Sequence, residues 1–139
     1  MPYLSRWFVK AGMVYFLAAL LLGWLLVMPG ATERWPGLVT LSPVYFHLFM
    51  VGWVTQLIFG VAFWMFPRYS REKPRGNEGW VVLTFWMLNG GLLLRVVAEP
   101  LRGWRPEPVW AWMLAVSAWL QWLAGIVFVL YLWPRVKEK

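Results

Sequence analysis

The side chains that could do chemistry are few, and all of them lie within long apolar stretches. His47 is the only histidine. Arg95 and Glu99 are four residues apart, a spacing that places both on one face of a helix and allows an ion pair. Three amides are the other candidates for a polar site: Gln56, Asn89 and Gln121. Polar groups inside hydrocarbon are costly, so each of these residues is expected to have a partner or a function.

The stretches that hold these residues are long enough to cross a membrane. The chain has 139 residues, of which 61% are hydrophobic and 14% charged. So few charges could not cover the surface of a soluble domain of this size. Four apolar runs of about 20 residues predict an all-α, integral membrane four-helix bundle. We predict a single transmembrane domain over residues 1–139, with spans at about 7–28, 43–66, 79–99 and 109–133.

Capping residues and prolines predict where two of these spans begin and end. Ser42 is a candidate N-cap for the second span, and Pro43 suits the first helical position because its missing N–H has no partner there. Pro67 and the basic residues after it mark the end of the second span. Pro100 is expected to close the third span after Glu99.

Basic residues predict the orientation. Four spans place both termini and the second connection on one side, and that side holds nine basic residues: Arg6, Lys10, Arg68, Arg71, Lys73, Arg75, Arg135, Lys137 and Lys139. The other side holds Arg34, Arg102 and Arg105. The positive-inside rule makes the first side cytoplasmic, most simply in a bacterial inner membrane. We therefore attribute the net charge of +7 to membrane topology and expect no nucleic-acid partner.

This orientation brings three ionisable side chains to one depth. His47 lies about one helical turn inside the outer boundary, roughly 6–8 Å down at 1.5 Å per residue. Arg95 and Glu99 lie near the outer end of the third span and reach a similar depth. Two interpretations follow. The three residues form a functional site, or they form only a structural network of hydrogen bonds and an ion pair.

Two similar patterns predict helix packing. Small residues and one amide share a face in Gly52-x3-Gln56-x3-Gly60 and again in Ser117-x3-Gln121-x3-Gly125. Small residues let helices approach closely, and an amide can hydrogen-bond across the contact. The repetition indicates either a duplicated hairpin or chance. Asn89, in Asn89-Gly90-Gly91, is expected to bond between helices or to mark a helix distortion.

The second span should present two different faces. On a continuous α-helix, Gln56 lies about 180° around the axis from His47. The His47 face continues through Met50, Val54, Ile58, Val61 and Met65. Four helices can cover one face, so we expect a second protomer, another membrane subunit or a cofactor to cover the other. This predicts a homo-oligomer, most simply a dimer or trimer, or a stable complex with another membrane protein.

The second span also resembles a known helix. His47, the run 48–53, Gly60 and Pro67 are similar to the second helix of the catalytic subunit of haem-copper oxidases and nitric oxide reductases. In that family a histidine near the outer end of the helix is an axial ligand of a low-spin haem. The resemblance implies that His47 ligates haem b. Arginines near the outer surface bind haem propionates in that family, and Arg95 is placed for that role by its depth and not by a motif.

The resemblance covers about 25 residues, and the rest of the chain departs from the family. The family's subunit has many more helices and several ligating histidines, whereas this chain has one histidine. It cannot build a haem–copper centre, and it lacks the second family ligand to a low-spin haem. We therefore expect no catalytic activity from the isolated chain. The absence of cysteine also excludes disulfides and thiolate metal sites.

Three functions remain open at this stage. The first is a small respiratory-chain-associated membrane protein that binds haem b through His47, with Arg95 at a propionate. Its sixth ligand would be His47 of another protomer, a methionine or nothing. The second is a non-catalytic accessory or assembly subunit of a membrane oxidase or reductase, without a cofactor. The third is an oligomeric ion or small-molecule transporter that uses His47, Arg95 and Glu99.

Overall fold

The computed structural model describes residues 1–67, 69, 72 and 75–136, and all regular structure in this part of the chain is helical. Four helices are long and apolar enough to cross a membrane: Tyr3–Val27, Pro36–Met65, Gly79–Trp104 and Pro108–Arg135. The predicted all-helical class and the four apolar helices of span length are therefore confirmed. Five of the basic residues used to predict orientation fall outside the described residues, namely Arg68, Arg71, Lys73, Lys137 and Lys139.

The first and third long helices are regular, and the second is composite. Helix α1 covers Tyr3–Val27 and is followed by the short α2, Ala31–Arg34. The second span consists of a 3-10 segment, helix α3, a π-helix and helix α4, with the bounds Pro36–Leu41, Ser42–His47, Leu48–Thr55 and Gln56–Met65. Helices α5 and α6 cover Gly79–Trp104 and Pro108–Leu132, and a 3-10 turn over Trp133–Arg135 ends the fourth span.

Two predicted helix boundaries are wrong. Helix α5 continues through Pro100 to Trp104. A proline removes only one backbone donor from a helix. The turn after Pro100 still closes, since the Arg105 N–H donates to the Leu101 carbonyl over 2.8 Å. Ser42 makes no side-chain cap. It is already helical, and its N–H is paired because the preceding 3-10 segment runs directly into α3.

Helix α1 and the second span form an antiparallel hairpin through the small residues of the first pattern. A Cβ atom added at Gly52 would lie 2.8 Å from the Cβ of Tyr15, and one added at Gly60 would lie 3.0 Å from the Cβ of Phe8. Gln56 lies between these two glycines and is fully buried. The predicted Gly52–Gln56–Gly60 face therefore packs against α1.

Helices α5 and α6 form the second hairpin, and only part of the second pattern is used. A Cβ atom at Gly91 would lie 2.9 Å from the carbonyl oxygen of Ser117 and 3.0 Å from the Cγ of Gln121. A Cβ atom at Gly125 would meet no atom within 4 Å. Ser117 and Gln121 thus face α5, while the expectation that Gly125 also serves close packing is wrong. Each hairpin nevertheless joins its two helices through the same kind of small-residue contact.

Two apolar clusters fill the interior, one toward each end of the bundle. Near the end that holds both termini, the buried residues are Leu4, Phe8, Phe63, Val81, Leu88, Ala124, Phe128 and Leu132. At the other end they are Ala19, Val44, Leu48 and Leu92. The first connection covers this second end, where Thr40 lies against Gly103 and Gly37 against Trp104. We call the two ends the terminal end and the far end.

Candidate functional site

The imidazole of His47 is held in one orientation by its own helix. Its Nδ1 lies 2.9 Å from the carbonyl oxygen of Pro43, four residues earlier. A carbonyl can only accept a hydrogen bond, so Nδ1 donates, and in the neutral ring Nε2 keeps its lone pair. Metal-ligating histidines commonly donate their second ring N–H to a backbone carbonyl in this way. The side chain therefore fits the requirements of an axial ligand to haem iron.

A π-helix begins immediately after His47 and was not predicted. The hydroxyl of Thr55 donates to the carbonyl oxygen of Met50 over 2.9 Å, five residues back, a spacing that matches the wider π turn. The angle of 180° between His47 and Gln56 is therefore wrong, because it assumed an α-helix throughout. Single π turns within helices occur frequently at functional sites.

Several residues of the second span face outward from the bundle. Met50, Ile58 and Met65 are 54%, 58% and 71% exposed, whereas Gln56 is fully buried. His47 itself is half-buried. The other three helices therefore leave these residues uncovered. Because Leu48–Thr55 turn at the wider π pitch, the α-helical grouping of His47 with these residues no longer holds.

His47 and Arg95 lie at the same level of the bundle. Val44 and Leu48, which flank His47 in sequence, share the far-end cluster with Leu92, and Val96 packs against that cluster. Leu92 and Val96 flank Arg95 in the same way. Among the described residues, however, His47 makes no hydrogen bond to Arg95 or Glu99, so what the structure establishes is a common depth.

Arg95 and Glu99 form an ion pair within α5. The Nη1 of Arg95 lies 2.9 Å from the Oε1 of Glu99, and the two side chains are only 16% and 11% exposed. The pair leaves some of its hydrogen-bonding capacity unused. The Nε of Arg95 and the Oε2 of Glu99 are buried without a partner in the described part of the chain, and so is the Nε1 of Trp110.

The amide candidates serve helix packing. The Nε2 of Gln56 donates to the Oδ1 of Asn89 over 2.9 Å, and the Nδ2 of Asn89 donates back over 3.4 Å as well as to the carbonyl of Phe85. Helix α5 is continuous through Asn89, so the alternative of a distortion there is wrong. The hydroxyl of Ser117 donates to the carbonyl of Gly91, and Gln121 donates to that hydroxyl within α6.

Sequence reasoning missed the role of Arg135 and used this residue only as a marker of orientation. It is 2% exposed, and its guanidinium donates to the carbonyl oxygens of Phe63, Phe66 and Pro67. It therefore caps the end of α4 from the end of the fourth span. The available signal was its position after the last apolar turn, where a cation suits helix C-terminal carbonyls.

The candidate site residues were also tested for a metal site built from side chains alone and for similarity to known proteins. Within the described ranges, no three His, Cys, Asp or Glu side chains are grouped so that they could hold a metal ion. Comparisons with protein-family models, curated proteins and solved structures find no significant match.

Proposed function

We propose that this protein binds haem b in a membrane electron-transfer chain, with Nε2 of His47 as an axial ligand. The observation that carries the proposal is the hydrogen bond from Nδ1 to the carbonyl of Pro43, which directs the Nε2 lone pair away from its own backbone. The π-helix that starts at the next residue is a second supporting feature. A bound haem would supply one-electron transfer or gas binding, depending on its sixth ligand.

Arg95 is the proposed partner of a haem propionate. It shares the level of His47, as its flanking residues Leu92 and Val96 indicate. Only one nitrogen of its guanidinium is engaged by Glu99, so donors remain for a second carboxylate. The ion pair with Glu99 keeps this cation in place at a depth where an isolated charge would be costly.

The proposed haem would lie at the surface of the chain, because His47 is only half-buried. Exposed apolar residues occur along the second span, including Met50, Ile58 and Met65. A porphyrin bound there needs a second wall, which a second copy of the chain or another membrane subunit would provide. The sixth ligand would then come from that neighbour, as His47 or a methionine, or the position would stay open.

The proposed setting is a bacterial inner membrane with both termini in the cytoplasm. The antiparallel hairpins put the termini and Pro67 at one end of the bundle, since Arg135 contacts Pro67 and the backbone of Ser5 lies beside Gly60. Basic residues are concentrated in the sequence segments at that end, nine against three at the far end. This asymmetry supports the cytoplasmic assignment and, with it, the proposal that His47 lies in the outer leaflet.

A non-catalytic accessory subunit is the alternative, and one observation favours it. Several tryptophans are more than half exposed on the outer surface, among them Trp86, Trp112, Trp119 and Trp122. Trp119 and Trp122 lie near the middle of α6, far from the interfacial zones that tryptophan prefers. A neighbouring membrane protein covering them would explain their position without any cofactor. The transporter alternative receives less support, because apolar side chains fill both ends of the interior.

The absorption spectrum of the purified protein tests the proposal. The full chain, expressed with ample haem and purified in mild detergent, should show a Soret band that shifts on reduction. His47→Ala should abolish the band while the helical circular dichroism is retained. Phe46→Ala is a matched control, since Phe46 is an exposed neighbour that offers no ligand atom. A chain that shows no Soret band when haem is abundant would refute haem binding and leave the accessory-subunit function.

A further inference from the structure

We propose that Arg95, Glu99 and Trp110 form a binding site at the far end of the α5–α6 hairpin for a small neutral molecule that both donates and accepts hydrogen bonds, with water as the resident ligand. The site shares Arg95 with the haem proposal but uses its Nε, and it needs neither His47 nor a prosthetic group. It assigns a role to polar atoms that helix packing leaves unused.

Three unpartnered atoms carry the inference. The Nε of Arg95, the Oε2 of Glu99 and the Nε1 of Trp110 are each buried, and none has a hydrogen-bond partner among the described residues. They are three of only four such side-chain atoms in this part of the chain, the fourth being the hydroxyl of Ser5 at the other end of the bundle. Buried polar groups are nearly always satisfied, so their concentration at one end points to a guest.

The register of the hairpin places these atoms at one level. The close contact of Gly91 with Ser117 fixes the pairing of α5 with α6. Because the helices are antiparallel, two turns toward the far end lead from Gly91 to Ala98 on α5, and from Ser117 to Trp110 on α6. Ala98 is fully buried, as expected for a residue that faces the other helix. Trp110 therefore lies beside the level of Glu99, on the side of α6 that faces α5.

The chemistry of the unused atoms defines the guest. The Nη1 of Arg95 and the Oε1 of Glu99 pair with each other, so the charges of the two side chains are balanced within the site. What remains is two N–H donors and one carboxylate acceptor. The guest must accept from N–H groups and donate to the carboxylate oxygen. Water is the smallest molecule that does both, and buried water typically makes about three hydrogen bonds to protein groups of this kind.

Radiolytic labelling in H₂¹⁸O tests for this water directly. The full chain is prepared without haem, mixed rapidly with H₂¹⁸O and exposed to a brief X-ray pulse, and oxidised residues are located by mass spectrometry. A water held beside Trp110 should give oxidation of Trp110 with slow uptake of ¹⁸O. Trp112 is the internal control, because it is 73% exposed on the lipid side of the same helix and should not be labelled in this way. Absence of slowly exchanging label at Trp110 would overturn the proposal.

A substitution of the same type at two neighbouring positions gives a second test. Trp110→Phe should lower the unfolding temperature, whereas Trp112→Phe should leave it nearly unchanged. Loss of packing alone would lower it equally in the wild-type and Glu99→Gln backgrounds. A shared water predicts instead a smaller effect of Trp110→Phe in the Glu99→Gln background, because the acceptor has already been weakened. Equal effects in both backgrounds, or no effect of Trp110→Phe, would contradict the bridging water.

Discussion

The Nη2 of Arg135 lies 2.8 Å from the carbonyl oxygen of Phe66, and this contact joins the last turn of the chain to the end of α4. The same guanidinium also donates to the carbonyls of Phe63 and Pro67 and lies over the rings of Phe63 and Tyr131. The carbonyls at a helix C-terminus lack intrahelical partners. Arg135 donates hydrogen bonds to these carbonyls from a turn that is distant in sequence, and so links the two hairpins at the terminal end.

Replacing Arg135 should therefore destabilise the fold more than its position near the C-terminus suggests. We expect Arg135→Met to cost about 2–3 kcal/mol, since it removes charge-assisted bonds and leaves buried carbonyls unpaired. Arg135→Lys should recover only part of this, because one ammonium cannot match a planar fork that reaches three carbonyls. Thermal or denaturant unfolding in detergent would measure both changes. Arg102→Met is the control, as Arg102 is exposed at the far end; equal losses from Arg102 and Arg135 would show that the buried contacts do not matter.

The amide pair Gln56–Asn89 should behave as a coupled unit. Gln56→Leu and Asn89→Leu each leave a buried amide partly unpaired, at a cost of about 1–2 kcal/mol. The double substitution should cost less than the sum, by about 0.6 kcal/mol and at most about 1.7 kcal/mol, the average and the maximum for hydrogen bonds between membrane helices. A double-mutant cycle on unfolding free energies measures this coupling. Gln121→Leu should show no coupling with Gln56→Leu, because Gln121 bonds within α6. Strict additivity for Gln56 and Asn89 would argue against the pair.

Two adjacent glycines should respond in opposite ways to the same change. Gly91→Ala forces a Cβ atom to within 2.9 Å of the Ser117 carbonyl oxygen, so α5 and α6 must separate, at about 1–3 kcal/mol. Gly90→Ala meets nothing within 4 Å and should be neutral or stabilising by up to about 1 kcal/mol, through helix propensity. Unfolding measurements on the two variants would compare them directly. If Gly90→Ala lowered the free energy of unfolding as much as Gly91→Ala, the result would contradict the packing of α5 on α6 through Gly91.

Cysteine labelling should report the orientation without interference, because the chain has no cysteine of its own. Glu72→Cys and Glu107→Cys place one exposed thiol at each end of the bundle. With cytoplasmic termini, a membrane-impermeant maleimide should label position 107 in intact cells and position 72 only after permeabilisation. The cysteine-free parent chain supplies the background. Labelling of both positions from outside intact cells would contradict the four-span topology, and labelling of position 72 alone would invert it.

The apolar runs of the sequence were enough to predict which segments are helices long and apolar enough to cross a membrane, and which side chains within them are unusual. Apolar runs of span length have no alternative in hydrocarbon, because every backbone N–H and C=O must be paired within the segment. The spacing of Arg95 and Glu99 likewise determined their ion pair, since residues four apart on a helix are neighbours. The small-residue faces at Gly52 and Gly60 indicated close packing for the same local reason.

The packing of the helices in three dimensions was needed to establish which helix each of these faces meets and how the helix ends are completed. Gln56 hydrogen-bonds to Asn89, which is 33 residues later in the sequence. This pairing depends on how the two hairpins dock and cannot be predicted from the sequence around either residue. The π-helix after His47 could not be predicted, because helical periodicity read from the sequence assumes one pitch throughout. Arg135 followed the pattern of a basic tail residue, yet long-range packing buries it on three carbonyls. The local sequence pattern specifies individual helices, because it acts through hydrogen bonds within one helix. Which helices pack against each other is decided only in the assembled bundle.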